Sequence, residues 1–239
     1  MKNLVVFTGA GISQESGIPT FRDNEGLWSQ YNPEVYASAS GWTFKKEKLN
    51  EFYNLLRSKL KECKPNKAHY LLKDLEKFYN VTIITQNIDD LHERAGSNEV
   101  IHLHGELTKI RPDPDIFYKK LGDTSHWKDI GYEPLDNSKL NEYRPAIILF
   151  GESVPLISTA IEKVKLSDIF VVIGTSLEVY PAASLTQFTP KNIVKYLIDP
   201  KFNDFNQIDE NIYIPEYTYI KENASKGVQI LFDDLVKTL

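Results

Sequence analysis

Residues 4–23 read LVVFTGAGISQESGIPTFRD. Leu4-Val5-Val6-Phe7 is apolar without polar alternation, the pattern of a strand buried on both faces. It breaks at Thr8-Gly9-Ala10-Gly11, where glycine permits turns and close approaches that a Cβ would block. A strand and turn of this kind, opening into a helix, directs free N–H groups at an anion, and a diphosphate is the natural candidate. The dinucleotide fingerprint asks for a third glycine, and Gln14 stands there instead. Taken alone, the turn reads equally well as a tight structural turn. Gly17-Ile18-Pro19-Thr20-Phe21-Arg22-Asp23 follows as a loop-like segment, with an aromatic ring and a cation directly after the turn.

The rest of the chain repeats the same alternation. Leu49, Phe52, Tyr53, Leu56 and Leu60 recur at helical spacing, as do Ala68, Leu71, Leu72, Leu75 and Phe78. Apolar strands are expected at 81–85, 100–103, 146–150, 169–173 and 193–198. A short helix over 91–95 is stopped by Gly96. Leu156, Ile157, Ala160, Ile161 and Val164 mark another helix, and residues 224–239 a closing one. Strands alternating with helices predict a parallel α/β sheet covered on both faces. Between Thr108 and Arg144 the character changes. Pro, Gly and Asp are scattered among Phe117, Tyr118, Trp127 and Tyr132, so a small inserted module is expected at 108–145. With it go parts of 24–65, the sheet-forming part being 1–107 and 146–239.

The chain has 239 residues, 41% of them hydrophobic, and a net charge of −5. That is enough apolar material for one large core, and the acidic balance argues against nucleic acid as a partner. The single cysteine, Cys63, rules out an internal disulfide and a multi-cysteine zinc site. No run approaches the ~20 apolar residues of a membrane span, so no membrane partner and a reducing, cytoplasmic setting are expected.

In a parallel sheet the ligand site lies beyond the carboxyl ends of the strands. Polar groups end nearly every predicted strand: Gly9 and Gly11, then Gln86, Asn87 and Asp89, then His104, Gly151 and Glu152, Gly174, Thr175 and Ser176, and Asp199. His104 is the candidate general base, because an imidazole titrates near neutrality. Alternation puts His102 on the same face, so a His-x-His metal pair is the alternative, with no third or fourth ligand in view. His69, His92 and His126 read as structural or solvated. Gln86 to Asp89 can hold an amide or ribose hydroxyls, or simply cap the next helix.

Gly9-Ala10-Gly11-Ile12-Ser13, Gly17 to Asp23, Gln86-Asn87-Ile88-Asp89, His104-Gly105-Glu106, Phe150-Gly151-Glu152 and Gly174-Thr175-Ser176 together resemble, in order, the motifs of the sirtuins. The resemblance spans nearly the whole chain and is nearest to small bacterial members. It implies a Rossmann-like sheet with a small module, and NAD-dependent removal of acyl groups from protein lysine. A peptide would lie between the two parts. By match, Gly9, Ala10, Gly11, Ile12, Phe21 and Arg22 line the NAD site. Gln86, Asn87, Ile88 and Asp89 face the nicotinamide end, and Gly174, Thr175, Ser176, Asp199 and Ala224 the adenosine end. Asp199 stands where the family usually has Asn. Tyr53, Phe150, Gly151 and Glu152 would meet the acyl-lysine substrate. His104 would take a proton from a ribose hydroxyl after the acyl oxygen has displaced nicotinamide.

Two departures shape the expectations. The four zinc cysteines usual in the small module are missing, so no bound zinc is expected and the module must rest on its aromatic residues. Members that prefer succinyl groups carry Tyr-x-x-Arg; here Tyr53 is followed at that offset by Leu56. Arg57 comes one place late, which turns it ~100° around a helix. Deacetylation is therefore expected over desuccinylation. The rival readings are an ADP-ribosyltransferase or NAD glycohydrolase using the same pocket, a dehydrogenase, and a non-catalytic NAD-binding regulator. A dehydrogenase wants an acidic residue at the second strand's end, where Gln86-Asn87 stands.

Overall fold

The computed structural model describes residues 1–20, 31–113, 123–201 and 217–237. In chain order the elements are β1 (Asn3–Thr8), α1 (Pro33–Tyr36), α2 (Ala39–Glu62), α3 (Lys67–Leu75), β2 (Asn80–Thr85), α4 (Leu91–Arg94), β3 (Val100–His102), β4 (Gly105–Pro112), β5 (Lys128–Asp129), β6 (Tyr143–Ile147), α5 (Ile157–Lys165), β7 (Ile169–Ile173), β8 (Val194–Ile198), β9 (Thr218–Ile220) and α6 (Ala224–Lys237). Six strands form one sheet in the order β3-β2-β1-β7-β8-β9, and every pairing in it is parallel.

Strand residues alternate between two buried faces, which is why the runs read as continuously apolar. Leu4, Val6, Ile83, Val171 and Ile173 pack with Leu72 and Leu75 of α3 and Val228 and Leu231 of α6. Val5, Phe7, Ile84, Phe170 and Val172 face the other way, onto Ala160 and Val164 of α5. The parallel register sets His102 beside Thr85, Thr85 beside Thr8, Thr8 beside Ile173, and Ile173 beside Ile198. These tips lie in one row, so the residues that follow them all emerge along one edge.

Three expectations from the sequence are corrected. The strand expected at 146–150 is β6, Tyr143–Ile147, and it lies outside the parallel sheet. It pairs antiparallel with β4, which also carries β5, in a second sheet of order β5-β4-β6. An apolar run alone does not reveal its partner. Gly105, at φ +87°, turns the chain out of β3 and into β4 before the expected strand is complete. A Cβ there would lie 2.0 Å from the Ala146 carbonyl oxygen. Second, the Gly9 turn opens into two 3-10 turns, Ala10–Ile12 and Gln14–Ser16, rather than into an α-helix. Gly17 at φ +89° then ends them. Third, α3 ends at Leu75, and Phe78 lies in the turn beyond it, about one-third exposed.

The second sheet leans on α2. Trp42, Leu49, Phe52, Tyr53, Leu107, Ile110, Leu135 and Leu140 form a third core cluster, with Tyr31 and Tyr36 at 4.8 and 5.1 Å from the Phe52 ring centre. Ionic contacts finish it. Arg111 and Arg144, both buried, reach the two carboxylate oxygens of Glu152 at 2.7 and 2.6 Å. The Arg144 guanidinium also lies 4.9 Å over Trp42. Asp113 takes Lys46 at 2.6 Å and the Trp42 indole N–H at 3.1 Å.

Candidate active site

The row of strand tips borders one cavity of about 1120 Å³. The Gly9 turn and the Gly174 turn press together there. The Gly9 and Gly11 N–H groups donate to the Ile173 and Gly174 carbonyls at 3.0 and 2.9 Å. A Cβ on Gly11 would come within 2.6 Å of Gly174 Cα, and one on Gly9 within 2.6 Å of Thr175 Cβ. Only glycines allow this approach, and it engages the Gly9 and Gly11 N–H groups that the sequence reading left free for an anion.

Gln86 and Asn87 extend from the tip of β2. Gln86 Nε2 donates to Thr175 Oγ1 at 2.8 Å, tying that tip to the β7 turn. Asn87 Nδ2 donates to the Gly9 carbonyl and to Ser13 Oγ, both at 3.1 Å. Ser13 in turn donates to Asp89 at 2.9 Å, and the Leu91 N–H donates to the other Asp89 oxygen at 3.1 Å. Burial raises the Asp89 pKa to about 6, against the pull of those two hydrogen bonds and of the His102 charge. Both carboxylate oxygens accept hydrogen bonds, an arrangement that suits the ionised form.

His104 lines the cavity just past β3. Its Nδ1 sits 3.0 Å from the Gln86 carbonyl oxygen. A carbonyl only accepts, so Nδ1 carries the proton and Nε2 is left as the basic nitrogen. Burial holds the ring's pKa below its ordinary value, partly offset by the Gln86 bond. A neutral imidazole with a fixed tautomer can accept a proton at pH 7.

The remaining expected residues divide. Gly9, Ala10, Gly11, Gln86, Asn87, Ile88, Asp89, His104, Gly174, Thr175, Ser176, Asp199, Ala224, Tyr53, Phe150, Gly151 and Glu152 all border the cavity. Ile12 does not. Its side chain is fully buried in the core beneath α3 and α6, because the turn's one large apolar group packs inward. Phe21 and Arg22 lie outside the described residues. Glu152 borders the cavity, but its carboxylate is taken up by Arg111, Arg144 and the Leu149 N–H. Phe150 is half exposed at the rim. The His102–His104 metal pair is not formed. The strand ends at His102, the chain turns, and the His102 ring points away from the cavity into contacts with Asn87 and Glu93. Among the described residues no group of three or more His, Cys, Asp or Glu is placed to hold a metal ion.

Sequence reasoning missed Ser13 as the link between Asn87 and Asp89, and Ala37, Leu107 and Val154 on the cavity wall. Ser13 stood inside the quoted turn. The wall residues carry no signal beyond being apolar. Tyr53 is buried, and its hydroxyl donates to the Tyr36 carbonyl at 3.0 Å. Leu56 reaches the cavity wall one turn later, whereas Arg57 is fully buried on another side of α2. There its guanidinium donates to the Leu107 carbonyl at 2.8 Å and to Asn54 Oδ1 at 2.6 Å.

Comparison with known proteins agrees with this geometry. The Sir2 family model matches residues 9–181. An NAD-dependent protein deacylase of Bacteroides thetaiotaomicron is 47% identical over 235 residues, covering 97% of both chains. One of Helicobacter pylori is 46% identical over 241 residues, covering 99% of both. Among solved structures, a Sir2 homolog–NAD complex superposes with a TM-score of 0.82 at 33% identity, covering 99% of this chain and 90% of the other. A Sir2 variant with a deacetylated peptide and 3′-O-acetyl-ADP-ribose gives 0.75 at 28%, covering 97% and 92%. With its glycine turns, its strand-tip polar groups and His104 arranged as described, the chain belongs to the Sir2 family.

Proposed function

We propose that this protein is an NAD-dependent protein lysine deacylase that acts foremost as a deacetylase, with an acyl-lysine peptide as its second substrate. The observation that carries the reading is the row of register-aligned strand tips, which puts the Gly9 and Gly174 turns, the Gln86–Asp89 loop and His104 around one cavity. The cavity fits the cofactor: at about 1120 Å³ it has room for a dinucleotide over the paired glycine turns. Gly9, Ala10 and Gly11 would hold its central part, Gly174, Thr175, Ser176, Asp199 and Ala224 its adenosine half, and Gln86, Asn87, Ile88 and Asp89 its nicotinamide end. When bound, NAD supplies the ADP-ribosyl group that takes the acyl group as nicotinamide leaves.

The protein's own groups do the rest. His104 Nε2 accepts a proton from a ribose hydroxyl, and the Gln86 carbonyl keeps Nδ1 protonated throughout. The Asn87–Ser13–Asp89 bonds hold a carboxylate and an amide in fixed positions, so orientation is settled before substrate arrives. Leu107, Leu149 and Val154 keep the wall apolar and exclude water. Residues 108–145, with parts of 24–65, serve as the module against which the peptide lies. No nucleic-acid or membrane partner belongs to this reading, and the single cysteine suits a reducing cytoplasm.

Acetyl is favoured over succinyl because α2 offers an acyl carboxylate neither partner. Arg57 is buried away from the cavity, on Leu107 and Asn54, Tyr53 donates to Tyr36, and Leu56 faces the cavity. The test is a panel of acyl-lysine peptides with NAD and a mass readout. The expected result is peptide-dependent nicotinamide release with acetyl turning over faster than succinyl. Nicotinamide release without peptide would favour the glycohydrolase reading, and faster succinyl turnover would overturn the acyl preference.

A further inference from the structure

His102 is 5% exposed and lies outside the cavity. Its Nδ1 is 2.9 Å from the Asn87 carbonyl oxygen and its Nε2 is 2.8 Å from Glu93 Oε1. Both partners accept only, so both ring nitrogens carry protons and the ring is an imidazolium. Burial opposes this charge, but the Glu93 hydrogen bond and charge, helped by the Glu106 charge and then by the Asn87 bond, raise its pKa to about 9. His104, two residues on, makes the equivalent bond to the preceding carbonyl, that of Gln86. Two imidazoles therefore fix two successive carbonyls of one loop. The Ile88 carbonyl is fixed too, by the Leu107 N–H at 2.8 Å.

We propose that His102 and Glu93 form a positioning pair that sets the Asn87–Asp89 loop for the nicotinamide end of the cofactor without touching it. The pair reaches the loop from behind. Glu93, on α4, steers the imidazolium, and the imidazolium fixes the orientation of the Asn87–Ile88 peptide group. That peptide leads on one side to the Asn87 amide, bonded to Gly9 and Ser13, and on the other to Asp89. A charge-assisted bond to the carbonyl is stronger than a neutral one, so the loop is held before the cofactor arrives. This rests on the reading of function above, which gives that loop to nicotinamide.

The test compares His102→Phe and Glu93→Gln with the wild type in three measurements: affinity for ADP-ribose, KM for NAD, and the inhibition constant of nicotinamide in acetyl-peptide turnover. ADP-ribose lacks nicotinamide, so its affinity reports folding and the rest of the site. His102→Phe is expected to raise the KM for NAD and the nicotinamide constant about tenfold or more, with ADP-ribose affinity within about twofold. Glu93→Gln keeps the hydrogen bonds and loses the charge, so about threefold or more is expected. A merely structural role predicts an equal fall in ADP-ribose binding, and that result overturns the proposal. So do nicotinamide and NAD constants that stay within about twofold of wild type. If the Phe variant does not fold, Glu93→Gln carries the same test alone. A wild type that binds neither NAD nor ADP-ribose would refute the functional reading itself, which separates the two failures.

Discussion

Acidification should destabilise this protein through a buried histidine that no reaction step uses. His69 is fully buried, its ring centre 4.8 Å from that of the equally buried His92 and tilted 58° to it. Its Nδ1 accepts the Asn66 N–H at the start of α3, and its Nε2 has no hydrogen-bond partner among the described residues. Burial lowers its pKa from 6.5 to about 4. The folded state therefore resists protonation, and the unfolded chain takes the proton first. The stability this gives is present above pH 6.5 and is lost as pH falls towards 4. At about pH 5 the loss from His69 alone comes to ~2 kcal/mol, against a total of roughly 5–15 kcal/mol for a domain. His92, also lowered by burial, adds to the loss with the same sign. His102 does not, because its raised pKa keeps its contribution whole below pH 6.5 and loses it only as pH rises through about 9. Urea unfolding at about pH 7 and pH 5, for the wild type and for His69→Leu, measures the effect. The leucine variant cannot titrate, so its loss between the two conditions should be smaller by ~2 kcal/mol. Equal losses in the two proteins would refute the reasoning.

Two further outcomes concern the site. His104→Ala should reduce formation of deacylated peptide by about 10²–10⁴-fold, with ADP-ribose affinity within about threefold, since the role proposed for the ring is that of base rather than ligand anchor. Rapid equilibrium dialysis beside single-turnover product analysis separates the two quantities. Leu56→Arg places a cation on the cavity wall one turn after Tyr53. The succinyl-to-acetyl ratio of kcat/KM should rise about tenfold or more, the worth of a hydrogen bond between charged groups, and an unchanged ratio in competition assays would count against Leu56 as the wall residue.

Much of this was legible in the sequence, for reasons that differ by element. β1, β2, β7 and β8 were readable because a doubly covered strand leaves a short, continuous apolar run, and each run ends in the polar groups that line the site. The closing helix was readable from the spacing of Val228, Leu231, Leu235 and their neighbours. The pairing of β4 with β6 was not, because an antiparallel match between Gly105–Pro112 and Tyr143–Ile147 depends on contacts across more than thirty residues. The same holds for Glu152. Its motif marked it as a substrate contact, but two arginines from β4 and β6 converge on its carboxylate only in the folded chain. Strand alternation put His102 beside His104, and it failed at the turn through Gly105. Arg57 shows the reverse. One residue of offset on α2 was enough to expect it off the cavity, and it is buried on a carbonyl and an amide instead.

The central claim is that the strand tips hold a dinucleotide with its ribose against His104. A crystal structure of the protein with NAD and an acetyl-lysine peptide tests it most directly. The account predicts His104 Nε2 within about 3 Å of a hydroxyl on the nicotinamide-side ribose, with Nδ1 still on the Gln86 carbonyl. A ribose more than about twice that distance away, or an imidazole turned into the packed interior, would contradict it.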